Sequence, residues 1–241
     1  MYQNMSNKLN IEEIKQKLFE RLEPSGWGKI FKPFIFSGDF DSIISQLARM
    51  SLDGKRFTPT LKQMFRAFEE CPYSELKVVM LGQDPYPQFG VADGVAFSCS
   101  NTKELQPSLK YMLDEINRTV YNGHPGSLDV DLTRWSNQGI LMLNTALTTT
   151  VGKIGQHYAI WKPFIAYLLD HLTWNVNGLV YVYMGKQAQE WADCVNDNNY
   201  KIFISHPASA AYNEQERWDS NNLFVEVKEI VKKQWNYSIE W

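Results

Sequence analysis

Four short apolar segments of this chain each end in side chains that can do chemistry. The segments and the residues after them are 77–81 before Gln83-Asp84-Pro85-Tyr86, 139–143 before Asn144, 179–184 before Gly185-Lys186, and 201–204 before Ser205-His206. A carboxylate and an imidazole can perform acid–base or electrostatic catalysis, and side-chain amides can pair with polar edges of a ligand. The residue types therefore predict a reactive site, provided that the four segment ends lie together.

The apolar segments have the length and the β-branched or aromatic content of buried strands. Helical patterns separate or follow them at about 108–121, 160–174, 186–197 and 218–234. Strands that alternate with helices predict a three-layer α/β/α fold around a central four-stranded parallel sheet. Because ligands bind beyond the carboxyl ends of such strands, the polar residues should meet on one rim of the sheet.

The first part of the chain is predicted to be helical. Asn10 precedes Glu13 at the spacing of a capping box, and helices are expected at about 11–22, 41–51 and 60–70. No repeat, linker or low-complexity tract divides the sequence. We expect one domain over residues 1–241, with residues 1–24 as an N-terminal helical extension.

Composition limits the class of protein. The chain has 241 residues, of which 44% are apolar, and its 24 basic and 27 acidic residues give a formal net charge of −3. This charge gives no support to nucleic-acid binding, so any DNA contact needs a local basic patch. Three scattered cysteines without a CxxC pair disfavour a zinc or iron–sulfur site and suit a reducing compartment. No signal peptide or membrane span is predicted, which indicates a soluble, cytoplasmic protein.

Each polar residue also has a structural interpretation. Asp84 before Pro85 can shape a turn, and Asn144 can cap a helix. His206 taken alone is more often structural than catalytic, and Lys186 alone is a solvated charge. The aromatic residues Tyr86 and Phe97 can belong to the core. The functional interpretation rests on the occurrence of all of them on one predicted rim.

Three longer motifs carry a resemblance to a known family. They are Leu81-Gly82-Gln83-Asp84-Pro85-Tyr86 with Gly94-Val95-Ala96-Phe97-Ser98, Leu141-Met142-Leu143-Asn144-Thr145-Ala146-Leu147-Thr148, and Ser205-His206-Pro207. They resemble the water-activating loop, the uracil-recognition strand and the start of the leucine-intercalation loop of family 1 uracil-DNA glycosylases. Gln106-Pro107-Ser108 resembles the end of the proline-rich loop, and Gly185-Lys186 takes the place of the Gly-Ser loop. The order and spacing of these motifs agree with the family pattern from about residue 55 to the C-terminus.

The resemblance implies a DNA repair enzyme that flips uracil out of DNA and hydrolyses its N-glycosidic bond. Asp84 and His206 would be catalytic, the first stabilising an oxocarbenium-like sugar and positioning water, the second donating a hydrogen bond to O2 of the leaving base. Uracil would be bound by Gln83, Tyr86, Phe97 and Asn144, with the Tyr86 ring excluding the thymine methyl group. No metal or cofactor is implied. The expected partners are uracil-containing DNA, single- or double-stranded, and a proteinaceous inhibitor, with the enzyme acting as a monomer.

The loops that would contact DNA depart from the family pattern. DNA-binding positions are implied for Pro107, Ser108, Gly185, Lys186, Ser209, Ala210 and Tyr212. Ala210 stands where the family has its wedge leucine, and an alanine cannot fill the gap left by an extruded base. Tyr212, two residues on, is the candidate replacement. Pro87 replaces a histidine, Lys186 replaces a serine, and Glu214 falls near a position that is usually basic.

Two other classes of function remain open at this point. The altered intercalation loop and the acidic net charge would suit a DNA-binding or replication-accessory module of the same fold with weak turnover. A metal-dependent nuclease or phosphatase using Asp84 and His206 is the third hypothesis. The absence of other clustered acids on the predicted rim argues against it.

Overall fold

A parallel sheet of four strands forms the centre of the computed structural model, which describes residues 10–124, 129–213 and 215–241. The strands of the described residues are β1 (Phe57–Thr58), β2 (Val78–Gly82), β3 (Ile140–Asn144), β4 (Thr149–Thr150), β5 (Val180–Met184) and β6 (Tyr200–Ile204). The order of the parallel sheet is β3-β2-β5-β6, and a separate antiparallel pair joins β1 to β4. The four-stranded parallel sheet predicted from the sequence is therefore confirmed.

The strands β2, β3 and β5 are buried on both faces because they are apolar at successive positions, whereas the edge strand β6 is partly exposed. Val79 and Leu81 of β2 pack into one core, whereas Val78 and Met80 pack into the other. This period of two is the pleat of a strand, and a continuous apolar run is what a sheet covered by helices on both faces requires. The strand register aligns Gly82 with Asn144, so the polar residues that follow β2 and β3 begin side by side.

Helices cover both faces. They are α1 (Ile11–Leu22), α2 (Trp27–Ile35), α3 (Gly38–Leu52), α4 (Arg66–Glu70), α5 (Pro107–Thr119), α6 (Thr133–Ser136), α7 (Tyr158–Asn175), α8 (Lys186–Gln189), α9 (Ala208–Tyr212) and α10 (Leu223–Trp235). Buried residues of α1 to α4 and α7 share one core, and buried residues of α5, α6, α9 and α10 share the other. The three-layer α/β/α prediction is confirmed.

The first helix is as predicted, with the Asn10 side chain accepting a hydrogen bond from the Glu13 N–H at 3.2 Å. Its residues Leu18 and Leu22 are buried in the core that also contains Trp27 and Phe31. α1 thus packs onto the domain. Residues 1–9 of the predicted N-terminal extension lie outside the described residues.

Several helix predictions need correction. The helix expected over 60–70 exists only as α4, because the N–H of Ala67 bonds to the carbonyl of Gly94 and not to that of Gln63. The expected 186–197 helix is α8 followed by a separate 3₁₀ turn at Ala192–Cys194. The last helix begins at Leu223 and not near 218. α2 was not predicted from the sequence; its N-cap residue is Gly26, which has a φ of 83°.

Candidate active site

Asp84 lies in the loop that follows β2, at the carboxyl edge of the sheet. The segment after β3 holds this loop, since the N–H groups of Thr145 and Ala146 donate to the carbonyls of Gly82 and Gln83, both at 3.2 Å. The Thr145 hydroxyl adds a bond of 2.9 Å to the Gln83 carbonyl. The loop backbone is therefore fixed from the neighbouring strand, which positions the carboxylate.

The Asp84 carboxylate is half-buried and accepts hydrogen bonds from a distant segment. The Gly155 N–H donates to its Oδ2 at 2.6 Å, and the hydroxyls of Thr149 and Tyr158 also interact with it and lower its pKa. Burial raises the pKa of Asp84, and these hydrogen bonds oppose the rise because they stabilise the charged form. Sequence reasoning missed these three partners. Their only signal in the sequence was a stretch rich in threonine and glycine after the second predicted strand.

Asp84 opens onto a cavity of about 240 Å³. Nine of the residues predicted as site residues line it: Gln83, Asp84, Tyr86, Phe97, Pro107, Ser108, Asn144, His206 and Tyr212. The carboxylate and the imidazole that follow β2 and β6 thus share one cavity. The sheet edge brings these residues together although they are spread over more than half of the chain.

Phe97 and Asn144 approach each other above Gly82. A Cβ atom at Gly82 would lie 2.5 Å from Asn144 Oδ1 and 3.3 Å from the Phe97 ring, so only glycine leaves both side chains in place. Phe97 has a φ of 65°, an uncommon conformation for a residue with a side chain. The Ala96 N–H holds it through a 3.1 Å bond to the Met142 carbonyl of β3. Strained backbone of this kind is typical of a functional site.

The hydroxyl of Tyr86 is held by a hydrogen bond to the backbone. It donates to the Phe97 carbonyl at 2.9 Å, and burial raises the pKa of the phenol. The ring is therefore neutral and held against the wall of the cavity. Such a rigid ring can act as a steric block, since it cannot swing away without losing this hydrogen bond.

His206 is held as a neutral imidazole. Its Nδ1 accepts a hydrogen bond from the Ala208 N–H at 3.1 Å, which leaves the proton on Nε2. Burial lowers the pKa of His206 to about 4, so the ring carries no charge near neutral pH. The ring centre lies 5.3 Å from that of Phe97. The arrangement offers one uncharged N–H donor to a ligand in the cavity.

The sequence matches the family model described as the Uracil DNA glycosylase superfamily over residues 68–232. The chain belongs to this family. A uracil-DNA glycosylase of Wolinella succinogenes is 32% identical over 223 residues, which cover 92% of this chain and 94% of the relative. A uracil-DNA glycosylase 2 of Bacteroides fragilis is 31% identical over 209 residues, or 86% of this chain and 93% of the relative.

Solved structures agree with the family assignment. The crystal structure of mimivirus uracil-DNA glycosylase superposes with a TM-score of 0.81 at 25% identity, covering 99% of this chain and 95% of that chain. A variant of mimivirus UNG in complex with UGI superposes with a TM-score of 0.79 at 25% identity, over 99% of this chain and 96% of that chain. The α/β fold of this superfamily member is therefore supported by sequence and by structure.

Within this uracil-DNA glycosylase fold, Gly185 lies against two of the cavity residues. Its φ is 85°, and a Cβ atom there would lie 2.8 Å from Gln83 Nε2 and 2.9 Å from His206 Cβ. Gly185 thus permits the close approach of β5 and β6 at the rim. Lys186, the next residue, is exposed at the start of α8 and does not line the cavity.

The segment after His206 departs from what the sequence suggested. Ala210 was predicted to contact DNA. Its side chain is fully buried in the core that α5, α6, α9 and α10 share, so it is not available to DNA in this structure. Ser209 uses its hydroxyl to donate to the His206 carbonyl at 2.7 Å. Tyr212 is 78% exposed and stands at the mouth of the cavity. Glu214 lies outside the described residues.

Asp93 is a buried residue of this glycosylase that sequence reasoning missed. It is fully buried, accepts hydrogen bonds from the Val95 N–H and the Ser98 and Ser100 hydroxyls, and pairs with Arg66 at 3.0 Å. These bonds hold the loop that carries Phe97. A buried carboxylate is stable only when it is paired in this way.

His157 supports the segment 149–158, which lies beside Asp84. It is fully buried between the hydroxyls of Thr148, at 2.8 Å, and Thr150, at 3.1 Å. Burial, aided by the charge of Lys55, lowers the pKa of His157 to about 4. This neutral ring lies next in the chain to Tyr158 and helps to fix the segment that contacts Asp84.

The described residues lack two features of other classes of protein. They contain no group of three or more His, Cys, Asp or Glu side chains arranged to hold a metal ion. Among the same residues, no helix combines the length and apolar character needed to cross a membrane.

Proposed function

We propose that this member of the uracil-DNA glycosylase superfamily excises uracil from DNA by hydrolysing the N-glycosidic bond, leaving an abasic site. The observation that carries the proposal is one cavity lined by Asp84, Phe97, Asn144 and His206. Its volume of about 240 Å³ exceeds the roughly 150 Å³ at which an engineered cavity holds a benzene ring. A single pyrimidine base therefore fits, but a base inside a duplex can reach it only by leaving the stack.

Recognition of uracil is assigned to four residues. The Phe97 ring would stack on the base, and the Asn144 amide would pair with its Watson–Crick edge, because an amide offers one donor and one acceptor. Gln83 would add further hydrogen bonds. Cytosine presents the opposite donor and acceptor pattern, which would leave the half-buried Asn144 amide unpaired in the cavity, and such mismatches are strongly rejected. Tyr86 would exclude the methyl group of thymine.

Bond cleavage is assigned to two residues. As the bond to the base lengthens, positive charge develops on the sugar and negative charge on uracil. The Asp84 carboxylate would stabilise the cation and orient the attacking water. The neutral His206 would donate its Nε2 proton in a hydrogen bond to O2 of the departing uracil. Both groups are held in place before the reaction, so no reorganisation is needed when the charges develop.

We also propose residues for DNA contact, and the structure changes the set that the sequence suggested. Pro107, Ser108 and Tyr212 line the mouth of the cavity, where the backbone of an extruded nucleotide would pass. Tyr212 is our candidate for the wedge that fills the gap in the duplex, since it is large and exposed. Lys186 is an exposed cation with no ion-pair partner among the described residues, which suits contact with a phosphate.

A uracil-release assay tests the proposal. The protein is incubated with matched single- and double-stranded oligonucleotides that contain one uracil, in the presence of a chelator, and free uracil is measured. Release is expected from both substrates. Absence of release from both substrates at high enzyme concentration would contradict the proposal. Strand cleavage that requires added metal would instead favour the nuclease hypothesis, and DNA binding without release would favour an accessory module.

Partners and location are also proposed. A variant of the related mimivirus UNG was solved in complex with UGI, and we infer that a protein inhibitor of this kind binds the present chain as well. We further propose that the enzyme acts as a monomer in the cytoplasm. The unpaired cysteines Cys71, Cys99 and Cys194 support a reducing compartment.

A further inference from the structure

A second, shallow depression lies beside the active-site cavity. We call it the basic groove, and its defining residues are Lys55, Arg56, Lys62 and Phe89. All four are exposed. The groove has no role in the assignments made above, and no described residue that lines it is acidic.

The charge of the groove is uncompensated. Among the described residues, Lys55, Arg56 and Lys62 take part in no ion pair, whereas Lys15, Arg66 and other cations elsewhere do. The chain as a whole carries a formal net charge of −3. The groove is thus a local basic patch on an acidic protein, which is the feature that phosphate binding requires.

An aromatic side chain stands within this patch. Phe89 is 67% exposed, and the Arg56 guanidinium lies 5.5 Å from its ring centre. An exposed ring beside cations is typical of surfaces that bind single-stranded nucleic acid, where bases stack on the ring and cations follow the backbone. A double-stranded ligand would leave the ring without a partner, because its bases are already stacked.

The groove is joined to the active site through the backbone. The Val151 N–H donates to the Arg56 carbonyl at 2.9 Å, and the Gly152 N–H donates to the Pro87 carbonyl at 2.9 Å. The segment 149–158 that makes these bonds also supplies the donors to Asp84. Gln88 lines the cavity and Phe89 lines the groove, so one loop separates the two sites.

We propose that the basic groove binds the unpaired DNA strand that flanks the extruded nucleotide. Lys55, Arg56 and Lys62 contact successive phosphates, and one base stacks on Phe89. This inference rests on the proposed uracil excision and adds a site for the flanking strand. It also predicts that a long single-stranded substrate is used better than a short one.

The test compares three proteins on two substrates. They are the unaltered chain, a groove variant that combines Lys55→Ala, Arg56→Ala and Lys62→Ala, and a control that combines Lys232→Ala and Lys233→Ala on α10. The substrates are a long single-stranded oligonucleotide with a central uracil and a trinucleotide with a central uracil. Uracil release is measured as kcat/KM between about 50 and 200 mM salt. The thermal unfolding midpoint checks that each variant is folded.

The groove variant is expected to lose most of the preference for the long substrate. Each phosphate contact contributes about 0.7 to the salt slope on single strands, so three contacts lower the slope of log kcat/KM against log salt by about 2. Phe89→Ala alone should reduce the same preference without changing the slope. The control variant should behave as the unaltered chain.

The outcomes separate this inference from the proposed function. If the groove variant and Phe89→Ala keep the substrate preference and salt slope of the control, the groove does not bind the flanking strand, although uracil excision stands. If the unaltered chain releases uracil from neither substrate, the proposed function itself fails.

Discussion

Tyr158→Phe tests the support of the catalytic carboxylate. The change removes one hydroxyl that lowers the pKa of Asp84 and leaves the Gly155 N–H donor in place. A hydrogen bond to a charged group contributes about 1.5–3 kcal/mol, and the lower end applies because Asp84 is only partly buried. Since about 1.4 kcal/mol corresponds to one pKa unit, the pKa of Asp84 should rise by about one unit.

The sign of the effect follows from the charge of Asp84. The hydrogen bond favours the carboxylate, so its loss favours the protonated form, which cannot stabilise a cation. The acid limb of the profile of kcat/KM against pH should therefore move upward by about one unit, with little change near neutral pH. Because Tyr158 bonds to Asp84, the acid limb that moves belongs to Asp84 and not to His206.

The assay is uracil release from a single-stranded oligonucleotide from about pH 4 to 8. Tyr167→Phe is the matched control, since its hydroxyl donates to the Ile30 carbonyl in the core away from the site. The control profile should superpose on that of the unaltered protein. Equal acid limbs for Tyr158→Phe and the control would refute the role of the Tyr158 hydroxyl in lowering the pKa of Asp84.

Four further substitutions test individual assignments. Asp84→Asn should lower turnover by about 10³-fold while DNA binding, measured by fluorescence anisotropy, is retained; unchanged turnover would contradict its catalytic role. Tyr86→Ala should allow thymine release from normal DNA, and continued rejection of thymine would show that another group is the steric block. Tyr212→Ala should slow excision from duplex more than from single strands, with no change in the unfolding midpoint, because the side chain is 78% exposed; equal losses on both substrates would rule out a wedge. Gly82→Ala places a Cβ atom 2.5 Å from Asn144 Oδ1, so displacement of the amide should reduce kcat/KM by about 10²-fold, and full activity would mean that Asn144 can move without cost.

The sheet could be predicted from the sequence because its signals are local. Four apolar runs separated by helical patterns predict buried parallel strands, and chain topology then places their carboxyl ends on one edge. The residues after β2, β3 and β6 were therefore expected to meet, and Asp84, Asn144 and His206 do line one cavity. Helix boundaries were less well predicted. The N–H that would have continued a helix before α4 bonds to Gly94, far along the chain, and a local pattern does not contain that partner.

The sequence by itself determined the succession of strands and helices along the chain, the motif residues and the family resemblance, because each depends on neighbouring residues. Tertiary structure alone decided the environment of those residues. Gly155 reaches Asp84 across 71 positions, Ala210 is buried while Tyr212 is exposed, and Lys55, Arg56 and Lys62 form a basic groove on a chain of net negative charge. Burial, hydrogen bonding and local charge depend on which distant segments pack together, and they set pKa values and ligand access.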